Sequence, residues 1–336
     1  MAATSNSEPP HPTSTTTITT LHSDIIHTHI LTRLDGATLA SAASVSTLMN
    51  RLCTENSLWR NICTSTWPSL VDPTATHVIS TFPGAYRSIF SDAFPSLHYF
   101  SPRPHRPSPP PSELISAIDI YYKGKPVFSR VRCTETQKNW FLLSPLWVDA
   151  LEPEEVVPTP VKFTRKDEEL LKQLEDNLSL SWIVMDPREK RAVNVSSRRA
   201  VSVQRHWLTR EVEVVYAAVM AGERERATEM VQCVVKVTCC GKVGGELHVK
   251  EVNLMMEDTE GRHVSGKEAL GILQSAMEFG ERKSFDGVEA KERYEKFSCM
   301  MKERRVIKHR RQKARDLLAM LLAFIAFLLF CFLAGL

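Results

Sequence analysis

The sequence predicts an α+β fold with a small helical N-terminal domain, a β-rich C-terminal domain and a C-terminal transmembrane helix. Apolar residues recur at helical spacing near the N-terminus, as in Ile26, Ile30 and Leu34. From residue 112 onward, apolar and polar residues alternate in several short runs, which is typical of an antiparallel sandwich or barrel. The last twenty residues are almost entirely apolar, which predicts a helix that crosses a membrane.

Composition and charge are those of an ordinary globular protein. The 336 residues are 43% hydrophobic and 24% charged, which predicts one or two domains with a sizeable core. The net charge of +3 is a local property, because residues 302–316 contain eight Lys and Arg but two acids. In the remainder, 34 cations face 37 acids. We therefore expect no nucleic-acid partner.

Cysteine usage and motif content predict neither a metal site nor an active site. The eight cysteines include no C-x-x-C pair, so zinc-binding spacing is absent. No Lys, Arg or apolar run occurs in residues 1–20, so we expect no signal peptide and free thiols in a reducing cytosol. Phosphate-loop, nucleophile-elbow and zinc-protease motifs are absent, and we expect no catalytic residue and no cofactor.

Composition and periodicity divide the chain into seven segments. The predicted segments are a disordered arm (1–20), a small helical domain (21–65), a helical extension (66–101), a Pro-rich linker (102–111), a β-rich substrate-binding domain (112–285), a basic helical stem (286–316) and a transmembrane helix (317–336).

Three features inside the β-rich domain predict local structure. The alternation of apolar residues slips near Lys250–Val252, as a β-bulge would cause. Ser265 and Glu268 form a capping box, which predicts a helix that ends at Gly280. The charged segment 165–177 has leucines on one face and predicts one amphipathic helix.

The small helical domain carries the pattern of a known interaction motif. The matching residues, in order, are Leu21, Asp24, Ile25, Ile26, Ile30, Leu31, Leu34, Leu58 and Trp59. With this pattern, residues 21–65 resemble the F-box. Thr66–Leu70, which reads Thr-Trp-Pro-Ser-Leu, resembles an element of a plant-type subgroup of that family.

The resemblance implies a function and a set of contacts. It implies that the box docks on a Skp-type adaptor, and through it on a cullin, while the β-rich domain binds an unknown protein substrate. The chain would be a non-catalytic substrate-recognition subunit of an SCF-type (Skp-cullin-F-box) E3 ubiquitin ligase. The residues expected to contact the adaptor are Leu21, Ile25, Ile26, Ile30, Leu34, Leu39, Leu58 and Trp59.

Two other interpretations are open. His22 and Asp35 stand where the F-box usually has prolines, which favours a non-ligase membrane scaffold that keeps a degenerate box. A carbohydrate-binding, lectin-like F-box protein is the other possibility. Its sugar platform would be formed by Trp140, Trp147, Trp182 and Trp207.

The C-terminal run Leu317–Leu336 predicts a tail anchor. Nineteen of its twenty residues are apolar, and a helix of this length rises about 30 Å, the thickness of a bilayer core. By the positive-inside rule the N-terminal domains face the cytosol, and we expect a single-pass anchor in the endoplasmic reticulum. The basic residues expected to flank the membrane and contact lipid are Arg304, Arg305, Lys308, Arg310, Arg311, Lys313 and Arg315.

Overall fold

The chain divides into two compact units, Met1–Ile62 and Cys63–Leu336. The computed structural model describes residues 22–98, 109–164, 167–222, 230–283, 287–333 and 335. The predicted disordered arm 1–20, Leu21 and residues 102–108 of the predicted linker lie outside the described residues.

Helices occupy most of the described chain up to Ala93 and recur between and after the strands. They are α1 (Ser23–Ile25), α2 (Gly36–Ala42), α3 (Thr47–Cys53), α4 (Asn56–Thr66), α5 (Pro73–Ser80), α6 (Tyr86–Ala93), α7 (Asn139–Leu143), α8 (Asp167–Asn177), α9 (Gly266–Phe279) and α10 (Gly287–Leu333). A π-helical turn, Ile26–Ile30, and a 3-10 turn, Leu31–Arg33, extend α1, and a second 3-10 turn, Pro68–Val71, follows α4.

The first unit consists of short helices, three of which begin at side-chain caps. The side chains of His22, Asp35 and Ser46 each accept a backbone N–H at the start of α1, α2 and α3, which satisfies donors that a helix start leaves free. Trp59 is buried, and its indole N–H donates to the Cys53 carbonyl at 2.7 Å. The prediction of a helical N-terminal region is confirmed.

Twelve strands are described in the second unit. They are β1 (Ser96–His98), β2 (Glu113–Tyr122), β3 (Lys125–Glu135), β4 (Trp147–Asp149), β5 (Val157–Lys162), β6 (Leu178–Asp186), β7 (Arg191–Asn194), β8 (Ser202–Arg205), β9 (Val212–Ala221), β10 (Met230–Gly241), β11 (Glu246–Asp258) and β12 (Glu281–Lys283). This unit is β-rich, and the α+β class predicted for the chain is confirmed.

Two antiparallel sheets of the second unit share one apolar core. One sheet has the order β3-β2-β6-β7, and the other has the order β4-β11-β10-β9-β8, with β5 pairing beside β4 on β11. Ile118 of β2 and Trp182 of β6 lie in the same buried cluster as Val214 and Tyr216 of β9. Apolar residues of α8 and α9 complete this cluster. The arrangement is sandwich-like, with each sheet burying its alternate residues against the other.

The central strand β2 is buried on its other face as well. Ile115, Ala117 and Asp119 point away from the shared core but are completely buried. The 3-10 turn Pro68–Val71 packs against this face. Ser69 donates its backbone N–H to Asp119 Oδ1 at 2.8 Å and its hydroxyl to Oδ2 at 2.5 Å.

These hydrogen bonds hold a carboxyl group that has been removed from water. Burial raises the pKa of Asp119 above its ordinary value, and the hydrogen bonds from Ser129 and Ser69 oppose that rise. Beside it, the Tyr121 hydroxyl donates to the Thr66 carbonyl at the end of α4. The Thr66–Leu70 segment is thus tied to β2 at two points.

The predicted bulge in β11 is confirmed. Thr238 of β10 pairs with Glu251, and the next residue, Cys239, pairs with Val249. Lys250 is therefore the extra residue on the longer side of the ladder. Its insertion shifts which residues of β11 face the core, which explains the slip in the sequence pattern.

Both helices predicted within the β-rich domain are confirmed. The helix α8 lies within the predicted segment 165–177. The helix α9 begins at the predicted capping box, where Ser265 and Glu268 each accept the other's backbone N–H, and it ends before Gly280.

Two arginines of β3 hold the loop between β4 and β5. Arg130 binds both carboxylate oxygens of Glu155, at 2.5 and 2.6 Å. Arg132 donates to Glu152 at 2.6 Å and to the Ala150 carbonyl at 3.1 Å. The hydrogen bond from Arg130 is the main cause that lowers the pKa of Glu155 to about 2.

The C-terminal helix requires a correction. The apolar run does not form a helix of its own but continues α10, whose charged residues extend to Asp316. Over the residues that the structure describes, helices long and apolar enough to cross a membrane are not found. The predicted transmembrane helix and the single-pass membrane localisation are therefore wrong.

We predict that Asp119→Ala destabilises the β-rich unit. The substitution leaves two buried donors of Ser69 without an acceptor, which costs about 1–3 kcal/mol for each unsatisfied group. Urea unfolding followed by circular dichroism should show a lower midpoint for this variant. Asp176→Ala, on the exposed side of α8, is the control and should unfold like the wild type. Equal midpoints for the two variants would contradict the structural role of Asp119.

We also predict a pH-dependent contribution from Glu155. Because its pKa is about 2 in the fold and 4.5 ordinarily, its stabilisation is complete above pH 4.5 and disappears as the pH falls towards 2. Glu155→Gln should lower the free energy of unfolding by about 1 kcal/mol at pH 7, and this difference should shrink at pH 3. Urea unfolding at both pH values tests this, with exposed Glu168→Gln as the control. A difference that does not depend on pH would refute the assignment.

Candidate functional site

The residues predicted to contact the adaptor differ in exposure. Four of them are at most 3% exposed: Ile26, Leu39, Leu58 and Trp59. Ile25 is 47% exposed, and Ile30 and Leu34 are partly exposed. Leu21 lies outside the described residues. The contacts of all eight with an adaptor stay a prediction, and the side chains with accessible apolar surface are Ile25, Ile30 and Leu34.

One further exposed apolar residue of the first unit was not included in the predicted set. Val45 is 74% exposed and lies directly before Ser46, the cap of α3. In the sequence it follows the buried residues Leu39 and Ala43 and reads as part of their apolar stripe. The end of α2 at Ala42 interrupts that helical spacing, and Val45 therefore points to solvent.

The second unit carries a cleft with a volume of about 1180 Å³. Its walls come from the end of β3, from α7 and β4, from the loop after β4, and from the middle of β11. The ion pairs of Arg130 and Arg132 hold that loop, so they also define one wall of the cleft.

Two of the four predicted sugar-platform tryptophans meet at the cleft. Trp140 is 75% exposed and Trp147 is 47% exposed, and both line it. The indole N–H of Trp147 donates to Asp149 Oδ1 at 2.8 Å, which fixes the ring. Trp182 is buried in the shared core, and Trp207 is exposed on the β8–β9 connection and does not line the cleft.

An amide side chain in the cleft wall was missed by sequence reasoning. Asn253 of β11 is only 4% exposed, and its Oδ1 has no hydrogen-bond partner among the described residues. It pairs in register with Asp149 of β4, so the two side chains lie on the same face of the sheet. In the sequence, Asn253 is one more polar residue in an alternating strand, and nothing distinguishes it.

The basic residues predicted to flank a membrane divide into two groups. Arg304 and Lys308 contact the β11–α9 connection, where Arg304 donates to Thr259 Oγ1 at 2.5 Å and Lys308 lies 3.9 Å from Glu260. Arg305 lies against Gly261 of the same connection. The remaining members of the set, Arg310, Arg311, Lys313 and Arg315, are exposed, as are Arg305 and Lys308, and only Arg304 is partly buried. With the anchor corrected, the lipid contact expected for them has no support.

Within the described ranges, no group of His, Cys, Asp and Glu side chains could hold a metal ion. The cleft instead offers aromatic faces, carboxylates and an amide. Such groups bind a ligand by shape and charge.

Comparison with known proteins identifies the family. The F-box-like family matches residues 25–65. The F-box protein At2g27310 from Arabidopsis thaliana is 44% identical over 322 residues, which cover 93% of this chain and 94% of that protein. The F-box protein At3g44326 from the same organism is 42% identical over 304 residues, 88% of this chain and 84% of that protein. No solved structure matches the chain.

These matches confirm the resemblance to the F-box. Similarity of this degree extends over nearly the whole chain and therefore covers the β-rich unit as well as the box. An F-box binds a Skp-type adaptor and, through it, a cullin. The chain therefore belongs to the F-box protein family and has the adaptor-binding role of an F-box in SCF-type ubiquitin ligases.

Proposed function

We propose that this chain is the substrate-recognition subunit of an SCF-type E3 ubiquitin ligase. The observation that supports the proposal is the β-rich unit itself, which has its own core and a large cleft beyond the residues of the F-box match. In this function the first unit binds the adaptor, and the second unit binds a protein substrate.

The proposal assigns no catalytic residue to the chain. The buried cysteines are the strongest nucleophile candidates by residue type, but burial raises the pKa of both Cys63 and Cys239 to about 12. A thiol with such a pKa is protonated at neutral pH and reacts poorly. Ubiquitin transfer would be carried out by the conjugating enzyme bound elsewhere in the complex.

We also propose that the chain belongs to the plant-type subgroup with a Thr-Trp-Pro-Ser-Leu element. The element, Thr66–Leu70, has defined partners in the fold, because Ser69 binds Asp119 and Thr66 binds Tyr121. The two relatives compared above are both from Arabidopsis thaliana, and their similarity continues through this segment.

A second candidate function is carbohydrate binding by the same unit. Trp140 and Trp147 expose their rings in one cleft, and exposed aromatic rings stack on sugar faces. The excess of charged side chains around them favours a protein ligand, so this remains the second candidate.

We predict that Ile25→Asp combined with Leu34→Asp abolishes adaptor binding. Each aspartate places a charge on accessible apolar surface of the first unit, and burying one such aliphatic side chain contributes roughly 1.5–3 kcal/mol. Recovery of co-expressed Skp-type adaptor with the tagged chain should fall by more than about tenfold. Ubiquitin conjugation by the purified complex should fall with it.

The control is Ser57→Asp, which adds one negative charge, half that of the double variant, at an exposed position in the first turn of α4. A negative charge is favourable there, so folding and adaptor recovery should be unchanged. Full adaptor recovery with the double variant would refute the predicted contact surface. A wild-type chain that recovers no adaptor would refute the ligase function and support the non-ligase alternative.

A further inference from the structure

We infer that the cleft of the β-rich unit binds an extended basic segment of the protein substrate, one rich in arginine or lysine. This inference rests on the proposed function as a substrate receptor and names the chemistry of what is received.

The cleft has an excess of negative charge that its own cations do not neutralise. Arg132, Lys138 and Lys250 are its cations, and each already forms an ion pair, with Glu152, Glu135 and Glu211 respectively, at 2.5–2.9 Å. Glu155 is paired with Arg130. Three carboxylates of the lining form no ion pair within 4 Å among the described residues: Asp149, Glu154 and Glu251. Such a surface attracts cationic groups and rejects acidic ones.

The two exposed tryptophans supply a second property that suits a cation. An indole face attracts a guanidinium or ammonium group placed over it. Trp147 and Asp149 are joined by the 2.8 Å hydrogen bond, so one ring face and one carboxylate are presented together. A guanidinium is planar and can stack on a ring while its edge binds a carboxylate, which makes arginine the better fit.

Asn253 adds an unfilled acceptor at the same place. Its Oδ1 is buried, and no described residue donates a hydrogen bond to it. A buried acceptor left unsatisfied costs free energy, which a hydrogen bond from a ligand N–H would recover. Asn253 lies directly opposite Asp149 across the β4–β11 pair. The unpaired acceptor therefore belongs to the same short stretch of wall as the ring and the carboxylate.

The shape of the cleft favours an extended peptide over a small molecule. Its volume of about 1180 Å³ exceeds the roughly 300–1,000 Å³ of small-molecule pockets. Among the described strands, β4 pairs only with β11, so its outer edge is open. An extended chain can pair with such an edge while its side chains reach the neighbouring pockets.

The test uses the full chain purified with its Skp-type adaptor. The probe is a fluorescein-labelled peptide of alternating arginine and glycine, and two matched peptides carry glutamine or glutamate in place of arginine. Fluorescence anisotropy gives the three affinities. We expect the arginine peptide to bind at least about tenfold more tightly than the glutamine peptide, and the glutamate peptide to bind most weakly.

Single variants locate the binding. Trp147→Ala and Asp149→Asn change exposed side chains, so the fold should be retained. Each variant should lower the affinity for the arginine peptide by at least about tenfold. Trp207→Ala removes a tryptophan that is 81% exposed outside the cleft, and should leave the affinity unchanged.

Three results would each overturn the inference. The first is an equal affinity for the arginine and glutamine peptides, and the second is no effect of Trp147→Ala and Asp149→Asn on the arginine peptide. The third is tighter binding of an oligosaccharide than of the arginine peptide, with loss of that binding in Trp147→Ala. Adaptor recovery is measured on the same samples, so adaptor binding without peptide binding overturns the inference but not the proposed function.

Discussion

Strand β2 is buried on both faces, so other elements of the second unit must pack against it from two sides. The opposite sheet covers one face through the core around Ile118 and Tyr216. The other face is covered by the 3-10 turn Pro68–Val71. The backbone N–H of Ser69 in this turn would be unsatisfied in an apolar interior. Asp119 accepts hydrogen bonds from that N–H and from the Ser69 hydroxyl, and these two bonds offset the cost of burying the carboxyl group.

A buried carboxylate also accepts hydrogen bonds where α6 contacts the four-stranded sheet. Asp92 is only 7% exposed and accepts hydrogen bonds from the Arg191 side chain and from the backbone N–H of Ala192 on β7. Arg282 then donates to the Asp92 carbonyl from β12. Asp119 on β2 and Asp92 on α6 thus join the helical segment after the box to the four-stranded sheet. Because hydrogen bonds are directional, these contacts select one arrangement of the helices on a surface that is otherwise apolar.

The two binding surfaces proposed for this F-box protein have different chemistry. The accessible adaptor candidates of the first unit are aliphatic, and they would contribute by removal of apolar surface from water. The cleft of the second unit combines rings, unpaired carboxylates and a buried amide, and its selectivity would come from charge and geometry. In the proposed function, the first unit would keep a constant attachment to the ligase while the cleft would determine which substrate is presented.

Local sequence patterns were sufficient to predict a large part of the fold and the family of this protein. The F-box resemblance, the α+β class, the bulge at Lys250 and the capping box at Ser265 depend on neighbouring residues and on fixed periods of 2 or 3.6. These features could be predicted because each is expressed within one helix or one pair of strands. Family membership was predictable for the same reason, since the motif occupies one continuous segment.

Tertiary structure decided what depends on residues distant in the sequence. Alternation cannot tell which tryptophans share a cleft, because Trp147 and Trp182 both lie in strands and only packing makes one exposed and the other buried. The partner of Asp119 is 50 residues away, and Asn253 becomes noteworthy only when no partner reaches it. Hydropathy alone predicted a membrane span for the apolar run at the C-terminus, but this run continues the charged helix α10, and helices long and apolar enough to cross a membrane are not found over the described residues. A sequence pattern specifies what each element tends to bury, whereas contacts between elements determine what remains accessible for binding.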